Sequence, residues 1–236
     1  MRRVLSVTAT LLLAVTAARA SPYWIEYEPA NGQFPEEEGW ERVTRYGGDQ
    51  RSLEDGWLIM DGTASVGIQD YYVMPMNGGL DPEAGESFLL EWRILVEELV
   101  GYYDPSVAVF SDDQWAVGFK LSRTEILSSF EPGVVAAFEP GIPHSFALES
   151  VDMRSYVLSI NGEPVIYGAF WESLYESDVR WGDGVYGGAS LARWDYFRFG
   201  VVPECDSLVL GGSLMALSVL SRTGTRRIIG TATYFR

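Results

Sequence analysis

Tyr156-Val157-Leu158-Ser159-Ile160-Asn161-Gly162-Glu163-Pro164-Val165-Ile166-Tyr167 is the stretch whose reading decides the fold class. Two runs rich in β-branched and aromatic residues flank Asn-Gly, which suits a type I′ turn because both central positions need positive φ. A tight hairpin is therefore predicted. Working outward, Phe146 to Val151 adds a strand that turns into the hairpin at Asp152-Met153-Arg154, making a meander. Val134 to Phe138 is bounded by Pro132-Gly133 and Pro140-Gly141. Ser106 to Phe110 and Trp115 to Leu121 are joined by the turn Ser111-Asp112-Asp113-Gln114. Further upstream, Phe88, Leu90, Trp92, Ile94 and Val96 alternate with Leu89, Glu91, Arg93, Leu95 and Glu97, the pattern of a half-buried strand. Downstream, a loop from Gly182 to Gly188 leads into Trp194 to Gly200 as the last strand. No long apolar pattern of helical period occurs between Ser21 and Gly200. Short strands at intervals of about 8–12 residues predict an all-β antiparallel sandwich or barrel.

The ends of the chain differ in kind. Arg2 and Arg3, an apolar run from Val4 to Val15 and Ala18-Arg19-Ala20 have the layout of a secretory signal over residues 1–20. The run of about 12 apolar residues is shorter than the roughly 20 a spanning helix needs. At the other end, Val202-Pro203-Glu204-Cys205 precedes an apolar segment, Leu208 to Leu220, and then Arg222, Arg226 and Arg227. This tripartite tail, 201–236, resembles the PEP-CTERM sorting signal of exported bacterial proteins, with cysteine in place of the box's second proline. The resemblance implies processing by an exosortase-like enzyme after signal peptidase has acted. It also implies transient anchoring through a C-terminal apolar helix and a final address at the cell surface or in the extracellular matrix.

Of the 33 acidic residues only Glu204 and Asp206 lie outside 21–203, whereas seven of the 17 basic residues do, so that segment is near −21, at about neutral pH. Such a charge argues against nucleic acid as a partner. Cys205 and His144 are the only residues of their kinds. Intrachain disulfides are therefore excluded, and neither a cysteine zinc site nor a multi-histidine metal site can be built.

The Tyr-x-Leu-x-Ile-Asn-Gly hairpin within a meander, and the Gly182-Asp183-Gly184 loop feeding Trp194-Asp195-Tyr196-Phe197-Arg198-Phe199-Gly200, resemble the concanavalin A-like jelly roll. That fold serves laminin-G-like domains, legume-type lectins and many glycanases, so the resemblance implies a jelly-roll β-sandwich over 21–200 and leaves the activity open. The Glu-x-Asp-x-x-Glu run of the retaining glycanases of this fold is absent from the sequence. Glu91 and Glu97 share a strand face but lie about 20 Å apart, against the ~5–5.5 Å that retention requires. A non-catalytic protein that binds a polysaccharide or glycan is the expected reading. A glycan-cleaving enzyme with another carboxylate arrangement and a purely structural surface protein remain as alternatives.

Sugar sites pair aromatic rings with charged or amide groups, because sugar C–H faces pack on π faces and hydroxyls need directional partners. If Trp92 faces the core, Glu91 and Arg93 face away from it, toward what the resemblance suggests is the concave ligand face. Lys120, the only lysine, shares the polar side of its strand with Ala116, Gly118 and Ser122, and Tyr102-Tyr103 precedes Asp104-Pro105 in a loop. Glu91, Arg93, Lys120, Tyr102 and Tyr103 are therefore the candidate ligand residues. Asp112, Asp113 and Asp183 supply hard oxygen donors near strand ends and are candidate calcium ligands.

Overall fold

The structure, a computed structural model, describes residues 23–203 apart from 46–49, 65–68, 77–79, 81, 102–105, 131–134, 174–176 and 185–187. The predicted signal peptide, Tyr102, Tyr103 and the tail from Glu204 onward lie outside the described residues. These include Cys205, Arg222, Arg226, Arg227 and the apolar segment. Among the described residues no helix is long and apolar enough to cross a membrane.

Two antiparallel sheets carry the chain. The first runs in the order β13 (Glu163–Ala169), β12 (Ser155–Ile160), β11 (His144–Ser150), β6 (Glu86–Gly101), β16 (Gly188–Pro203), β4 (Trp57–Asp61) and β3 (Arg51–Glu54). There β1 (Tyr23–Tyr27) also pairs with β16. The second runs β10 (Val135–Ala137), β9 (Glu125–Ser128), β8 (Trp115–Leu121), β7 (Ser106–Ser111), β15 (Asp178–Asp183), β5 (Gln69–Pro75) and β2 (Glu41–Arg45). The short β14 (Trp171–Glu172) sits against β8. The architecture is an all-β sandwich, as the strand pattern predicts.

The alternation in β6 reads directly into the core. Phe88, Leu90, Trp92, Ile94 and Val96 are all buried, while Leu89, Glu91, Arg93, Leu95 and Glu97 are only partly so. Trp92 stacks on Phe146 of β11 at 5.1 Å and meets Phe119 of β8 at 5.8 Å, so one ring ties both sheets. Trp181 of β15 does the same at the other end of the core. It stacks on Phe197 at 5.3 Å, with Tyr72 at 4.9 Å and Trp194 at 5.1 Å. Each such pair adds about 0.5–1.5 kcal/mol to the burial of its rings.

The hairpin is a type I′ turn, with Asn161 at φ 52 and Gly162 at φ 84. Asn161 also binds its neighbours: Oδ1 accepts the Ser145 amide at 3.0 Å and Nδ2 faces His144 Nδ1 at 2.9 Å. His144 Nε2 lies 2.6 Å from the Glu139 carbonyl. A carbonyl only accepts, so Nε2 carries the proton and Nδ1 accepts from the amide. The sole histidine is thereby a strand-entry pin between two loops.

Two boundaries differ from the sequence reading. The last strand begins at Gly188, six residues before Trp194, because it pairs along the whole length of β6. It also runs past Gly200: Val202 pairs with Ser87 and Pro203 with Glu86. The first two residues of the predicted sorting box are thus strand residues, with proline tolerated at the strand's end.

Candidate functional site

The outer faces of the two sheets differ in character. On the first sheet, Glu91 accepts from Arg198 Nε at 2.8 Å, and Arg93 meets Asp195 at 2.6 Å. Arg193 meets Glu97 at 2.7 Å. Aromatic rings cover two of these guanidinium groups: Arg198 lies 4.8 Å from the centre of Tyr196, and Arg93 lies 5.4 Å from that of Trp57. This face is a ladder of ion pairs with every named arginine engaged.

The second sheet's outer face carries a groove of about 510 Å³, within the ~300–1,000 Å³ usual for small-ligand sites. Cross-strand register explains its shape. Lys120, Val107, Gly182 and Tyr71 stand opposite one another across β8, β7, β15 and β5. A glycine and a valine occupy the middle of that row, so Lys120 and Tyr71 form walls over a low floor about 14 Å wide from backbone to backbone. Val109 extends the floor, and Phe130 joins the Lys120 wall. A Cβ on Gly118 would stand 2.9 Å from Phe130 Cε2, so the ring lies over the sheet only because position 118 has no side chain.

The groove's polar groups sit around this floor. Arg180 binds Asp178 through Nε at 2.6 Å and through a second, shorter contact of its guanidinium. Gln69 donates to the Gly184 carbonyl at 2.9 Å at the opposite end. Arg45 and Ser111 complete the lining. A second hollow of about 330 Å³ shares Arg45, Tyr71, Asp178 and Arg180 and continues the depression across β5 onto β2.

The sequence-predicted residues are therefore divided. Lys120 lines the groove, with Ala116 and Gly118 on its face as expected. Glu91 and Arg93 face outward as the burial of Trp92 requires, but on the opposite sheet, so the structure does not bring them together with Lys120. Tyr71, Phe130, Arg45 and Arg180 escaped the sequence reading. The alternation of Tyr71 with buried Tyr72 marks it as outward-facing, but nothing local says which sheet carries the groove.

Of the three aspartates, Asp112 and the exposed Asp113 are neighbours in one turn, and Asp183 lies apart from both. Asp112 Oδ1 accepts the amides of Gln114 at 2.8 Å and of Trp115, which caps its own turn. Asp183 lies at the far end of β7, opposite Ser106, about 20 Å from Asp112 along the strand. Its Oδ2 accepts the Ser190 amide at 3.0 Å and its Oδ1 has no partner among the described residues. Burial, aided by nearby Asp70, pushes its pKa from 3.8 to about 7. Among the described residues no three acidic, histidine or cysteine side chains cluster to hold a metal ion.

No protein-family model matches the chain, and no match was found among curated proteins. Solved structures do share the fold. The chain is similar to domain 4 of AbnA, a GH43 extracellular arabinanase from Geobacillus stearothermophilus, in complex with arabinotriose. The TM-score is 0.51 at 16% identity, over 75% of this chain and 90% of that one. It is also similar to the carbohydrate esterase vb_24B_21 from the Shiga toxin-encoding bacteriophage phi24B (TM-score 0.49, 10% identity, 75% and 97% of the two chains). A sialidase matches with TM-score 0.48 and 12% identity over 74% of this chain and only 18% of that one. At these identities the likeness establishes the fold alone, a two-sheet β-sandwich.

Proposed function

We propose that this chain is an exported, non-catalytic carbohydrate-binding β-sandwich of the concanavalin A-like type, and that its glycan lies in the groove on the second sheet. The observation that carries the reading is the groove's composition. Two aromatic side chains, Tyr71 and Phe130, rise beside an apolar floor, and hydrogen-bonding groups lie at its ends. Domain 4 of the arabinanase, with the same fold, is a complex with arabinotriose, which supports a glycan as the ligand class. The groove's only described carboxylate, Asp178, is held by Arg180. Glycoside hydrolysis ordinarily uses two carboxylates, so the lining favours binding over cleavage. The signal-like residues 1–20 and the PEP-CTERM-like tail support delivery to the cell surface or matrix through signal peptidase and an exosortase-like enzyme.

A glycan array probed with the purified chain, with calcium and then with chelator, tests the reading. Saturable binding that Tyr71→Ala abolishes and Arg93→Ala spares is the expected result. Loss with Arg93→Ala alone would move the site to the first sheet. Binding to no glycan would leave a structural surface protein. Release of reducing ends from a bound glycan would replace the non-catalytic reading with an enzyme.

A further inference from the structure

Resting on that reading of the groove, we infer that the glycan it accepts is anionic, carrying carboxylate or sulfate groups that Lys120, Arg45 and Arg180 engage. The argument begins with where this acidic domain places its few cations. Arg42, Arg51, Arg93, Arg193 and Arg198 are each tied to a carboxylate: Asp70, Glu36, Asp195, Glu97 and Glu91. Lys120, Arg45, Arg123 and Arg154 form no ion pair among the described residues, and the first two line the groove. Arg180 joins them there with Asp178 as its partner. Among the described residues, three cations and one carboxylate line this hollow, with Glu41 in the adjoining one, in a segment whose net charge is near −21, at about neutral pH.

The surroundings strengthen these charges locally. Val107, Val109 and Gly182 beneath them carry no polar side-chain groups. Attraction between an anion and a cation held over such a floor exceeds that at an open surface. The acidic remainder of the domain opposes a polyanion at long range, but screening confines that repulsion to about 8 Å at physiological ionic strength. A negatively charged protein has no general affinity for a polyanion, so saturable binding of one would report these side chains.

The experiment titrates the purified full chain with polygalacturonate for the carboxylate arm, dextran sulfate for the sulfate arm, and neutral arabinan and dextran. Preference of about ten-fold or more for either anionic polymer is expected, weakened about ten-fold by Lys120→Gln and by raised salt. Which anionic polymer binds identifies the group recognised. Equal or tighter binding of a neutral glycan, lost with Tyr71→Ala but unchanged in Lys120→Gln, would overturn the anionic inference and leave the groove reading standing. Binding to none of the polymers, nor to any glycan on the array, would remove the groove reading itself. The single lysine supplies an independent readout. Amine acetylation followed by mass spectrometry should find Lys120 protected by the anionic polymer, and unprotected Lys120 at saturation would overturn the inference.

Discussion

Asp183 makes the fold pH-sensitive in a direction that can be worked out from its surroundings. Asp183 is only 3% exposed, one of its carboxylate oxygens has no hydrogen-bond partner among the described residues, and a Cβ on Gly62 would stand 2.7 Å from the other, so the chain packs closely around it. The folded-state pKa is about 7 against 3.8 for an ordinary aspartate. Because the folded pKa is the higher, the unfolded chain releases this proton first as pH rises. The stabilisation is complete below about pH 4 and is lost progressively up to about pH 7. At about 1.4 kcal/mol for each pH unit, the loss amounts to about 4 kcal/mol. Asp183→Asn keeps an oxygen for the Ser190 amide and cannot ionise, so it removes the slope. Urea unfolding of both proteins at pH 4 to 8 is the assay. The stability of Asp183→Asn relative to wild type should climb by about 4 kcal/mol between pH 4 and 7 and then level off. A constant offset from burying the amide is expected and does not affect this difference. Parallel curves over the whole range would refute the reasoning, since other titrating groups are common to both proteins and cancel.

Trp92→Ala removes the ring shared by both sheets and should cost about 3–5 kcal/mol in urea unfolding. A loss under about 1 kcal/mol would show that the core closes without it. Asn161→Ala loses the contacts to Ser145 and His144 and the residue suited to positive φ, for about 1–3 kcal/mol. Asn161→Gly should recover part of that in the same measurement by restoring the turn geometry. Gly118→Val forces Phe130 off the sheet, and the overpacking should cost about 1–3 kcal/mol in chemical denaturation. It should also weaken glycan binding, and unchanged affinity would place the ligand away from that wall.

Local pattern carried the sequence reading a long way. The positive-φ demand of a two-residue turn made Asn161-Gly162 a hairpin, and period-two alternation placed Phe88 to Val96 in the core, because both rules act within a few residues. The inward direction of Trp92 also fixed Glu91 and Arg93 on an outer face. Local pattern could not supply the parity of the last strand. Trp194 and Phe197 are both buried although three residues apart, since the register shifts between Trp194 and Tyr196. That shift accompanies the Asp195 contact with Arg93 and depends on the partner strand. The candidate site was hidden for a related reason. Lys120, Tyr71 and Arg45 are scattered over the sequence and become one groove only through the order β8, β7, β15, β5, β2, while Glu91 and Arg93 fall on the other sheet. Strand order arises from packing between distant segments, so the face that each residue occupies was written in the sequence, whereas its neighbours on that face were decided by the tertiary structure.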